Sequence, residues 1–184
     1  MTATTETFQP TKTLRNLYFT RSVVQLLWAV ATIATALTNP TLGATLLVLY
    51  PLWDVACTLY DLKTLKSTSD ATSATTLYIN AAVGILTAIG IGLTAYSQPR
   101  YAVAIFGAWA LLAGLLQFAV GIFRRRHMGG QWAMILSGLQ STAAGVAFAI
   151  GGLNGKFHLK DLGGYAIFGA VYFLVAGILL SRKR

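Results

Sequence analysis

Apolar residues in this chain run in long unbroken stretches. A helix crossing a ~30 Å hydrocarbon core needs ~20 mostly apolar residues. Six segments meet that length, at about 17–37, 41–60, 76–96, 101–122, 131–152 and 162–180. Glycine, proline, asparagine or charge interrupts each junction, as at Asn39-Pro40, Gln98-Pro99-Arg100, Arg124-Arg125-Arg126 and Asn154-Gly155-Lys156. The ~10-residue alternating segments of a membrane β-barrel are missing. The pattern predicts an all-α integral membrane protein with six transmembrane helices over 17–184. A threonine-rich disordered cytoplasmic arm is expected over 1–16. Lys12, Arg15 and the following apolar run imitate a signal peptide, but the run is long and interrupted by Arg21 and Gln25, so a retained helix is expected.

Self-comparison predicts a repeated unit. Ile105-Phe106-Gly107-Ala108 recurs as Ile167-Phe168-Gly169-Ala170, and Tyr50-Pro51-Leu52-Trp53 aligns more weakly with Phe106-Gly107-Ala108-Trp109. The unit implied is a two-helix hairpin, giving three hairpins at about 17–66, 76–126 and 131–184. On this alignment the positions matching Asp54 are Ala110 and Tyr172. Glycines also recur every seven residues, at Gly107, Gly114 and Gly121 in the fourth span and at Gly138, Gly145 and Gly152 in the fifth. That spacing keeps each set on one helix face and predicts a close-packed seam, with small residues admitting a neighbouring backbone.

Composition agrees with a bilayer environment: 55% of the 184 residues are hydrophobic and only 10% are charged, against ~25% charged in soluble domains. Disorder is excluded, since it needs the opposite balance. Cys57 stands alone, so no internal disulfide can form. The net charge of +9 gains meaning from its placement. Eleven of the fourteen basic residues fall on one side of a six-pass topology: Lys12, Arg15, Arg21, Lys63, Lys66, Arg124, Arg125, Arg126, Arg182, Lys183 and Arg184. Arg100, Lys156 and Lys160 fall on the other. Basic residues favour the cytoplasmic side, so both termini are expected there, with Arg124, Arg125 and Arg126 meeting lipid headgroups. No basic-aromatic module is recognisable, so the lipid bilayer and not nucleic acid is the expected partner. A second copy or another membrane protein stays open.

Charge inside a span costs ~2.5–3.5 kcal/mol at mid-helix and needs a reason. Arg21, Asp54 and Asp61 are the candidates. Asp54 and Asp61 share a helix face seven residues apart, with Asp61 expected at the solvated boundary. Arg21 and Asp54 enter antiparallel helices from the same side and reach similar depth, about 6 and about 9 Å in at 1.5 Å per residue. An ion pair of Arg21 with Asp54 or Asp61 would offset both costs. Alternatively Asp54 is a proton-binding carboxylate, or the group holds a lipid or cation. His127 and His158 fall on opposite faces and cannot share a metal, and no soft-ligand cluster exists. There is no phosphate-binding loop, nucleophile elbow or paired His-Glu motif. A non-enzymatic protein without cofactor or metal is therefore expected.

Tyr50-Pro51-Leu52-Trp53-Asp54 carries a family resemblance, and the region from Phe106 to Gly152 carries it more clearly. That region includes Gly107-Ala108-Trp109, Ala113-Gly114, Gln117, Arg124-Arg125-Arg126, Gly129-Gly130-Gln131-Trp132, Ser137-Gly138 and Gly145. The chain resembles the HdeD family, bacterial short-repeat membrane proteins. The resemblance implies six helices built from repeats, an inner-membrane location and the link to acid stress of the family's namesake, and it supplies no catalytic residues; a role in acid or envelope stress is the expectation. A small proton-linked transporter or channel using Asp54 is the alternative expectation.

Overall fold

A computed structural model describes residues 8–65, 71–126 and 129–182. It is all-helical, with α1 (Phe8–Thr35), α2 (Pro40–Leu65), α3 (Ala71–Thr94), α4 (Pro99–Arg124), α5 (Gln131–Leu153) and α6 (Leu159–Arg182). Each of the six is long and apolar enough to cross a membrane. Local chemistry sets the helix starts. Asn39 Oδ1 accepts the Leu42 amide at 3.1 Å just ahead of Pro40, whose missing N–H costs nothing in a first turn. Asp161 Oδ2 reaches back to the His158 amide at 2.8 Å, half of a capping box at the start of α6. Gly130 precedes α5 with φ +75°, a left-handed conformation open to glycine at little cost.

One sequence expectation is corrected: α1 begins at Phe8, so residues 8–16 are helix where a disordered arm was expected; residues 1–7 lie outside the described residues. Leu14, Leu17 and Tyr18 recur at helical spacing and are buried against Phe173, Ala176 and Leu180 of α6, which gives this segment a reason to be ordered. Every helix adjoins its chain neighbours and α1 closes the ring onto α6, but the most intimate pairings are α4 with α5, α1 with α6 and α2 with α3, all of which join one expected hairpin to the next. Within the two Ile-Phe-Gly-Ala runs Phe106 is fully buried, whereas Phe168 is 59% exposed.

The polarity of the bundle is inverted relative to a soluble protein. Leu27, Leu86, Leu93 and many other large apolar side chains point outward, while Gln25, Asp54, Asp61, Asn80, Arg124 and Gln131 are buried. Lipid is the surrounding that such a surface fits, because it solvates apolar side chains and offers nothing to charges. Tyr60, Tyr96 and Trp132, exposed at helix ends, suit the membrane–water interface. In the half of the bundle away from the termini, Trp28, Tyr50, Phe106, Trp109 and Phe148 form one buried cluster with Tyr165 against it. Ring centroids there are 4.2 Å apart for Trp28–Tyr50, 5.7 Å for Tyr50–Phe106 and 5.9 Å for Phe106–Tyr165.

Candidate functional site: a buried charge network on α2

Asp54, Thr58 and Asp61 project from one face of α2 toward the bundle interior, and each meets a partner from another helix. Arg21 of α1 donates from Nη2 to Asp54 Oδ1 in a salt bridge. Asn80 of α3 donates from Nδ2 both to Asp54 Oδ2 at 2.8 Å and to Thr58 Oγ1 at 3.0 Å. Arg124, the last residue of α4, donates from Nη1 to Asp61 Oδ2 at 2.9 Å. The Arg21 guanidinium also lies 4.4 Å from the centre of the Phe173 ring on α6, where the ring face attracts a cation. One face of α2 thereby ties together α1, α3 and α4. Asp54 lies nine residues, about 14 Å by helical rise, from Lys63, where the apolar span of α2 ends.

The pairing of Arg21 falls on Asp54 and not on Asp61. Asp61, expected at a solvated boundary, is instead buried, and its partner Arg124 is only 4% exposed. The expectation that Arg124 meets lipid headgroups is therefore corrected: helix periodicity turns it inward to a carboxylate, while Arg125 and Arg126 stay exposed. Two of the eleven cations assigned to one membrane side are thus neutralised within the bundle. Asn80 received no role from the sequence, yet a signal existed. Ser73, Asn80 and Thr87 are seven apart on α3 and all buried, a polar stripe on an otherwise oily helix.

The glycine seam lies where α4 and α5 approach most closely. A Cβ at Gly114 would stand 2.6 Å from the Thr142 amide nitrogen and 2.7 Å from the Gly138 carbonyl oxygen; one at Gly138 would stand 2.6 Å from the Phe118 amide nitrogen. Gly107 faces the Ala149 backbone and Gly145 the Leu111 backbone, whereas Gly121 meets the Ile135 side chain at 2.8 Å. Across the seam Gln117 Nε2 donates to the Met134 carbonyl at 3.2 Å.

Two cavities border the ion pair. One of about 70 Å³, toward the end carrying the termini, is lined by Tyr18, Thr58, Asp61, Asn80, Arg124 and Gln131 among others. The second, about 30 Å³, lies deeper, against Gln25, Trp53, Trp109, Ser137, Ser141 and Tyr165. Arg21, Asp54, Ala113, Gln117 and Phe173 line both, so the ion pair stands in their common wall. Among the described residues no three His, Cys, Asp or Glu side chains gather as metal ligands. The arrangement can hold charge and hydrogen-bond water. Comparison with protein-family models, curated proteins and solved structures finds no match to the chain.

Proposed function

We propose that the chain is a non-enzymatic multi-pass protein of the bacterial inner membrane, of the HdeD type, acting in acid or envelope stress with both termini in the cytoplasm. The sequence resemblance supports the family. Exposed Arg125, Arg126 and Lys63 at one end of the bundle support the orientation. The observation that carries the stress reading is the Arg21–Asp54 pair buried in mid-span. Such a pair holds while the carboxylate is ionised; a neutral Asp54 leaves the Arg21 charge uncompensated in a poor solvent for it. Loss of that charge loosens α1 against α2, which couples it to helix packing. The test is acid survival of cells producing wild type or Asp54→Asn, at matched membrane abundance. Loss of protection with Asn and its retention with Asp54→Glu supports the reading, and full protection by Asn overturns it.

A second reading, a proton-linked transporter or channel using Asp54, is favoured by the cavities that reach this carboxylate. Proton flux into proteoliposomes, wild type against Asp54→Asn, tests it: flux abolished by Asn supports transport, and no flux in the wild type overturns it.

A further inference from the structure

We propose that the two cavities are one hydrated pathway that delivers protons to the Asp54 carboxylate from the end of the bundle carrying the termini, and from that end alone. The inference deepens the second reading above by naming the route and the side from which protons reach Asp54, and it rests on that reading for its use.

Unpaired polar atoms point to water as the occupant. Nine buried side-chain nitrogen and oxygen atoms have no hydrogen-bond partner among the described residues, and eight of them belong to residues lining these two cavities. On the larger cavity Arg124 offers donors while Asn80 and Gln131 offer carbonyl acceptors; on the smaller one Trp53 and Trp109 offer donors while Gln25 offers an acceptor. An anion satisfies donors only and a cation acceptors only, whereas water satisfies both. A water needs ~10–15 Å³ of such space and two to four polar partners, so about 70 and about 30 Å³ hold a short column of a few molecules.

The groups facing Asp54 fit a proton acceptor served by that column. Arg21 approaches from α1, Asn80 from α3 and Thr58 from its own helix, while Gln117 of α4 and Phe173 of α6 complete the wall. A proton relayed past Arg124 and Asp61 leaves hydronium as water when it adds to the carboxylate oxygen, and Arg21 keeps its own proton. Toward the far side the smaller cavity ends on Tyr50 and Trp109, whose rings pack with Phe106 at 5.1–5.7 Å between centroids. The wide vestibule at the opposite end, about 400 Å³ beside Arg100 and Lys160, shares no lining residue with either cavity.

Radiolytic hydroxyl-radical footprinting of the full chain in lipid nanodiscs tests the pathway, because radicals form wherever water resides. Phe173, Phe106 and Phe148 are 3%, 0% and 7% exposed and chemically identical, but only Phe173 lines the cavities. Phe173 is expected to be oxidised several-fold faster than the other two, and Ala113→Leu, which narrows the shared wall, is expected to slow it. Equal protection of all three phenylalanines in the wild type overturns the pathway. Proton flux into proteoliposomes separates the two ideas: rapid Phe173 labelling without flux keeps the pathway and removes the transporter, and flux with Phe173 protected does the reverse.

Discussion

Replacing Gly145 by alanine adds one methyl group at the tightest helix contact in the molecule. That methyl would stand 2.7 Å from the Gly107 carbonyl oxygen and from Leu111 Cα, and would also press on the Leu111 amide nitrogen. Carbon contacts are comfortable at ~3.5–4.0 Å, so α5 must retreat from α4 by about 1 Å along the seam. Overpacking of this kind costs ~1–3 kcal/mol, and the obstacles here are backbone atoms that no rotamer change can move, which places the cost near the upper end. Against it stands the helix preference of alanine over glycine, about 1 kcal/mol. The expected net is a loss of about 2 kcal/mol by that difference. Gly92 supplies the matched control, because a Cβ there meets nothing within 4 Å; Gly92→Ala is expected to gain about 1 kcal/mol. Unfolding by SDS titration from mild-detergent micelles, or steric trapping in bicelles, reads both. If Gly145→Ala proves as stable as Gly92→Ala, the seam is not held by backbone approach and the packing account fails.

The Arg124–Asp61 pair gives a second stability test. Asp61→Asn alone is expected to cost about 3–5 kcal/mol, whereas Asp61→Leu combined with Arg124→Met is expected to come close to neutral; a double variant as damaged as the sum of its single changes would contradict a buried pair. The exposed and buried arginines also separate by assay. Arg125→Gln and Arg126→Gln should each weaken association with anionic lipid by about 1 kcal/mol in native mass measurement and leave unfolding unchanged, while Arg124→Gln should do the opposite. Reporter fusions at residues 1 and 184 should both report the cytoplasm, and a split result would break the six-pass topology.

How much of this was legible beforehand depends on the kind of interaction. Helix number, type and approximate position followed from residue order alone, since the length of an apolar run against the thickness of lipid is a one-dimensional quantity. The Gly107 and Gly138 series was likewise readable, because a seven-residue period is a property of a single helix. Arg21 and Asp54 could be matched in depth from the two ends of one short connection, though their choice of each other over Asp61 could not. Arg124 sits beside two arginines of the same chemistry, and only the rotation of α4 against α2 sends it inward to Asp61 while its neighbours stay outside. Asn80 joins Asp54 and Thr58 across an interface whose register depends on how α2 and α3 tilt together. The ordering of residues 8–16 depended on α6 being present to bury Leu14 and Tyr18. The sequence by itself thus determined the oily rods and the junctions between them, because those depend on neighbours along the chain. Which polar groups face one another, and whether space for water lies between them, depends on relative rotation and tilt of separate helices, and that only the tertiary structure decided.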